Sequence, residues 1–242
     1  MTEKKPNRPR TPRALTRESI LHMDDDLLVI DKPAFVLSQD VPDRPEALTV
    51  QGMVTELMHA LGEPAEVHLV HRLDEETTGA LLLARNVETK KALEKLFHSH
   101  DLERIYHALV QGRPHPQRGT MTGRLSTKGD RVEVVRHGGE RAITHYALVA
   151  TLPAFSVVAC KLETGKRNQI RAQFADRGNV LVGDRKYFWR GKLEGVRRCL
   201  LHATAISLKH PRTGEMLTVV APFPADMRKL LGEELAEELL PR

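Results

Sequence analysis

The chain has 242 residues, enough for one compact domain or two small ones, and with 40% hydrophobic and 29% charged residues it can bury a core, which excludes wholesale disorder. No apolar run approaches the roughly 18 residues of a membrane-spanning helix, the N-terminus lacks the apolar stretch of a secretory signal, and two cysteines cannot build a disulfide framework; a cytoplasmic protein with buried thiols at Cys160 and Cys199 is expected. Lys and Arg total 37 against 32 Asp and Glu, a net charge of +5 that points weakly to a polyanionic partner.

In chain order, a disordered basic tail is expected over residues 1–18, since Lys4, Lys5, Arg8, Arg10, Arg13 and Arg17 face one acid, Glu3, before Glu18, while Pro6, Pro9 and Pro12 interrupt any helix. Such a tail either adds phosphate affinity or merely solubilises the terminus. Residues 19–242 are expected to form a single domain. Leu27 to Ile30 predict a strand ended by Lys32-Pro33. The consecutive acids Asp24, Asp25 and Asp26 before it fit a solvated turn. Val50, Met53, Val54, Leu57, Met58 and Leu61 recur at helical spacing, with Thr49 as N-cap and Gly62 as stop. Ala80 to Ala84 predict a strand, Ala92, Leu93, Leu96 and Phe97 a helix face, and Ile105 to Val110 another strand with Tyr106, Ala108 and Val110 on one side. Val132 to Arg136 and Ala142 to Val149 flank Gly138-Gly139, the pattern of a hairpin, and a second hairpin is expected across Pro211 to Gly214. Phe155 to Leu162 predict a strand, Asn168 to Asp176 a short helix stopped by Gly178, and Ala225 to Leu240 one amphipathic terminal helix. Hairpins interleaved with helices imply an α+β fold, a mainly antiparallel mixed β-sheet flanked by helices.

Three segments concentrate chemistry. His71-Arg72-Leu73-Asp74, with Thr77, Thr78 and Gly79, forms a polar turn feeding an apolar strand, which sets Arg72 and Asp74 at the rim of the core. In isolation such a pair is more often a capping or surface pair than a catalytic one. Arg104 to Gly112 places Tyr106 on a strand face, a core position when taken alone. Thr164-Gly165-Lys166-Arg167-Asn168-Gln169-Ile170-Arg171 gathers cations and amides where a strand turns into a helix, a place that favours phosphate. The histidines lack a third metal ligand at a recognisable spacing, so no metal site is expected.

Together and in this order, the three segments resemble the RluA family of pseudouridine synthases. HRLDEETTG is similar to the family's HRLDxxTSG, RIYHALVQG to its KxYxAxVxG, and TGKRNQIR, followed by Val182-Gly183-Asp184 and Tyr187, to its TGRxHQIR…GDxxY block; Leu28 to Pro33 and Leu200 to Ala203 extend the likeness over residues 20 to 230. The resemblance implies a cofactor-free isomerase, expected to be a monomer without a separate S4-type domain, that converts uridine to pseudouridine in structured RNA, tRNA or rRNA. It implies a catalytic role for Asp74, which acts at C6 or C1′ or through a glycal, with Arg171 as its partner and Tyr106 on the uracil ring. On the same resemblance Leu201 is expected to pack against the base and Arg72 to fill the space left by the everted uridine, and Lys166, Arg167 and Lys186, with Lys32 as a lesser candidate, are expected to contact phosphate. Lys166 and Asn168 depart from the family's Arg and His, and Lys166 lacks the bidentate fork. The alternatives are an RNA-binding module or chaperone on the same scaffold, and an Asp-dependent enzyme acting on a small anion.

Overall fold

A computed structural model describes residues 13–241. Residues 1–12 of the expected tail lie outside the described residues. Leu15 packs against the core ahead of a 3-10 turn at Arg17–Ser19. The strands are β1 (Ile20–Met23), β2 (Leu27–Lys32), β3 (His68–Leu69), β4 (Thr78–Ala84), β5 (Leu102–Val110), β6 (Arg118–Lys128), β7 (Arg131–Val135), β8 (Glu140–Thr151), β9 (Ser156–Leu162), β10 (Leu201–Lys209) and β11 (Met216–Val220). The helices are α1 (Val50–Leu61), α2 (Val87–Ser99), α3 (Gln169–Asp176), α4 (Ala225–Leu231) and α5 (Glu233–Glu238). Capping follows the sequence: the Thr49 side chain accepts from the Gly52 amide, and Gly62 ends α1 in the left-handed conformation. Asn86 caps α2 in the same way through the Thr89 amide.

The strands form one sheet in the order β1-β2-β4-β10-β5-β9-β8-β6-β7, with β11 on β10 and β3 on β4. Pairing within the sheet is antiparallel except between β4 and β10, where Thr78 meets His202 and Gly79 meets Ala203. This parallel step lies at the centre, so β4 is covered on both faces and is buried along its whole length. Leu81 and Leu83 enter the core shared with α1 and α3, while Ala80, Leu82 and Ala84 enter the one beneath α2. Gly79 permits the step. At φ +107° it brings β4 so close to β10 that a Cβ would stand 2.2 Å from the Ala203 carbonyl oxygen. The sheet and its flanking helices are the α+β arrangement expected from the sequence.

Three expectations fail locally. Val132 to Arg136 and Ala142 to Val149 do not pair, because β6 runs between β7 and β8 and pairs with both. The real hairpin turns at Gly129-Asp130, and Gly139 is needed for a different reason: a Cβ there would lie 2.5 Å from the Leu125 carbonyl oxygen as the chain crosses the end of β6. β6 alternates small and polar residues with few apolar ones, so no hydrophobic run announces it. The terminal helix is broken at Gly232 (φ +81°) into α4 and α5. The acidic turn is a clasp rather than a solvated loop. Asp26 is buried and accepts from Asn86, Thr89 and Arg212, whereas Asp24 accepts from two backbone amides and meets His22 and His210.

Candidate active site

Asp74 stands in the turn that feeds the central β4, its backbone carbonyl accepting from the Thr77 amide. The turn is held from below by Lys32, which the sequence suggested as a phosphate contact. That expectation is overturned. Lys32 is fully buried, and its Nζ donates to the backbone carbonyls of Pro33, Glu75 and Thr77 at 2.9, 3.2 and 2.9 Å. Burial pulls the Lys32 ammonium down to about 7 despite the opposing charge of Asp74, so it is a structural clip that never meets solvent.

The Asp74 carboxylate receives two donors on one oxygen. Arg171 Nη1 reaches Oδ2 at 3.1 Å and Asn168 Nδ2 reaches it at 2.6 Å. Among the described residues no donor reaches Oδ1, and the Asp74 side chain keeps 22% of its surface open. Arg171, on the first turn of α3, uses its remaining edge in a bidentate pair with Asp184, Nε to Oδ2 at 2.7 Å and Nη2 to Oδ1 at 2.9 Å. Burial opposes the guanidinium charge, but the Asp184 hydrogen bonds and the Asp184 and Asp74 charges raise its pKa further above the ordinary value, so Arg171 stays cationic. Asp184 is fully buried; it also accepts from the Tyr187 amide, and the Tyr187 ring lies 5.5 Å from the Arg171 guanidinium. Asn168 holds its backbone in the left-handed region (φ 50°) at the N-cap of α3 and leaves Oδ1 buried without a hydrogen-bond partner among the described residues. An orphaned acceptor beside a half-open carboxylate is a place for a donor from outside the chain.

Tyr106 faces the same core from β5, opposite Ala203 of β10 and Cys160 of β9. Burial raises its phenol pKa, and the Asp74 charge adds to the rise, so the ring remains protonated near neutrality. Leu201 opens β10 in that core. Arg72 is exposed beside Asp74, and no hydrogen bond ties its guanidinium among the described residues. An acid fixed through one oxygen with its second oxygen open, a buried phenol and an exposed guanidinium together make a partly dry site in which developing charge could be stabilised.

The sequence of residues 26–176 matches the family model for RNA pseudouridylate synthases. An uncharacterized RNA pseudouridine synthase of Bacillus subtilis, YhcT, is 33% identical over 217 residues, covering 87% of this chain and 70% of that protein. The ribosomal large subunit pseudouridine synthase D of Xanthomonas campestris is 32% identical over 228 residues, covering 88% of this chain and 68% of that protein. The chain belongs to the RNA pseudouridine synthase family. Its fold agrees: human RNA pseudouridylate synthase domain containing 4 superposes with a TM-score of 0.71 at 23% identity, over 86% of this chain and 89% of that one.

In this synthase the cations expected at phosphate lie on the β6-β7-β8 side of the site. Lys166 Nζ meets Glu140 at 2.5 Å, Arg167 Nη2 donates to the Asp130 carbonyl at 3.1 Å, and Lys186 Nζ stands 3.9 Å from the Asp130 carboxylate. Burial, then repulsion from Arg167, lowers the pKa of Lys186, which also feels Asp74 and Arg171 and so shares their electrostatic field. Thr78, where the family has serine, spends its hydroxyl on His202 Nδ1 at 2.9 Å. Sequence reasoning gave no role to Asp184, Tyr187 or the Asn168 donor. The signal was present in the Gly183-Asp184…Tyr187 spacing, but what each side chain touches was not. Among the described residues, no helix is long and apolar enough to cross a membrane.

Proposed function

We infer that this synthase isomerises particular uridines to pseudouridine in structured RNA, with Asp74 as the catalytic carboxylate. The observation that carries the reading is the asymmetry of Asp74, whose Oδ2 is held by Arg171 and Asn168 while Oδ1 is left open. The N1–C1′ bond breaks, uracil turns within the pocket, C5 bonds to C1′, C5 releases its proton and N1 gains one. Each route, attack at C6, attack at C1′ or passage through a glycal, needs one unencumbered carboxylate oxygen and a cation paired with the other. The sum is redox-neutral and requires no cofactor. Tyr106 and Leu201 bracket the uracil ring, and the protonated phenol serves as a hydrogen-bonding and stacking group rather than a standing base. Asn168 Oδ1 accepts from the nucleoside, whose N3–H and ribose hydroxyls are the available donors.

Target uridines inside folded RNA must be everted at a cost of a few kcal/mol, and Arg72, exposed and untied, takes the vacated place in the stack. Arg167, Lys186 and Lys166 then meet phosphate, Lys166 by exchanging Glu140 for it. Both tRNA and rRNA fit this chemistry, and the relative named for the large ribosomal subunit gives rRNA its support. A cytoplasmic setting accords with two buried free cysteines. The large exposed apolar side chains among the described residues, Leu48, Val87, Val149, Phe188 and Met216, each belong to a different element or loop, which favours a monomer.

Pseudouridines mapped in total tRNA and rRNA from cells with and without the protein test the reading. Specific sites should vanish on deletion and return with the wild type but not with Asp74→Ala, which should still bind RNA within a few-fold of the wild type. Sites restored in full by Asp74→Ala would remove Asp74 from catalysis; an unchanged map would favour a binding module or chaperone.

A further inference from the structure

Just beyond Tyr187 the chain does something costly. Phe188 holds a left-handed backbone (φ 65°), a conformation bulky residues avoid, and the residue is 61% exposed. Burial does not account for this ring. The turn beneath it is firmly tied: the Phe188 amide donates to the Arg185 carbonyl at 3.3 Å and the Trp189 amide to the Asp184 carbonyl at 2.9 Å. Asp184 is the residue whose carboxylate grips Arg171, so the exposed ring is mechanically continuous with the Arg171–Asp74 pair. From the other side, the Tyr187 hydroxyl donates to the Val132 carbonyl at 2.7 Å, which locks the turn to the edge strand β7. The next residue along β7, Arg131, lays its guanidinium 4.5 Å from the centre of the Phe188 ring. Arg185, Lys186 and Arg190 surround the ring in sequence; the acids that answer Arg131 and Lys186, Glu133 and Asp130, stand 3.9 Å off in each case.

We propose that Phe188 and Arg131 form a stacking platform for an unpaired base of the RNA next to the everted uridine. This rests on the RNA-modifying role argued above and extends it to a second nucleotide. An exposed aromatic residue, backed by a guanidinium and flanked in sequence by cations, matches what single-stranded nucleic acid requires: a π-surface for the base and positive charge for the flanking phosphates. Strain at Phe188 is consistent with a side chain kept for binding, since glycine would relieve it. The platform holds the neighbouring base in register while Asp74 works on the target, and favours uridines flanked by unpaired nucleotides.

The chain carries its own reporter, because Trp189 is its only tryptophan. A fluorescein-labelled single-stranded ten-nucleotide oligouridylate and a ten-base-pair RNA duplex serve as probes, followed by anisotropy, with unlabelled copies followed by Trp189 emission. For the wild type, the single strand should change Trp189 emission over the same concentration range as the anisotropy. Phe188→Gly should weaken single-strand binding about tenfold, change duplex binding less than twofold and raise Tm, because glycine accepts the left-handed backbone. Phe188→Tyr should bind the single strand within twofold of the wild type. Single-strand affinity unchanged in Phe188→Gly, or lost equally from strand and duplex, would overturn the platform while leaving the RNA-modifying role standing. A wild type that binds neither probe would overturn that role, and the platform with it.

Discussion

Arg171 uses one guanidinium for two acids, and the two depend on it differently. Asp74 is partly open to water, whereas Asp184 is fully buried with Arg171 as its charged partner. Removing the guanidinium strands a buried carboxylate, so Arg171→Ala should lose about 3–5 kcal/mol of stability as well as activity. Arg171→Lys should retain part of the stability yet turn over at least tenfold more slowly, since an ammonium cannot fork between Asp184 and Asp74. Urea unfolding beside turnover on substrate RNA separates the two effects. At this scale Asp74, Tyr106 and Arg171 were legible because they stand in recognisable local strings. The Asn168 donor and the Lys32 clip were not, because their partners lie 94 and about 45 residues away and only the assembled sheet brings them together.

Among the elements, the parallel step between β4 and β10 matters most. It sets the turn carrying Asp74 beside the start of β10, where Leu201 lies, and across β10 from Tyr106. Gly79→Ala would force a methyl group against the Ala203 carbonyl in a left-handed backbone, so a loss of about 3 kcal/mol or more is expected. Gly62→Ala, at φ +71° with open space around it, should cost only about 1 kcal/mol. Thermal unfolding of the two variants compares them; equal losses would mean that strand approach, as distinct from backbone conformation, is unimportant at Gly79. Helices α1 to α3 and the hairpin across Pro211–Gly214 were readable, since caps and turn residues act within a few positions, whereas the break of the terminal helix at Gly232 was not. The β6-β7-β8 order was misread because Gly138-Gly139 has the form of a tight turn, while the strand that separates its flanks lacks an apolar run.

For the whole molecule, three histidines charge less readily when folded. Burial holds His71, His107 and His202 down at about 3, 4 and 3, against an ordinary 6.5. Below about pH 6.5 the unfolded chain takes up protons that the native chain refuses, so stability falls with pH by about 1.4 kcal/mol per unit for each fully shielded histidine. Asp31, raised by burial to about 6, holds its proton longer when folded and offsets one of the three between about pH 6 and pH 4. Lys32 acts on the alkaline side: unfolded chains keep its proton to about 10.5 and the native chain releases it near 7, so stability still rises with pH across that interval. Urea midpoints should therefore climb from pH 5 to pH 8, the acid limb flattening in His202→Gln. The sequence by itself determined the family and the ends of α1 and α3, and it singled out Asp74 as the acid proposed for catalysis, because propensity, capping and motif spacing are local and survive without a fold. The tertiary structure alone decided which Asp74 oxygen stays open, which cations are buried clips and which aromatic ring faces solvent, because burial and hydrogen-bond partnership belong to groups that the chain brings together only when the sheet closes.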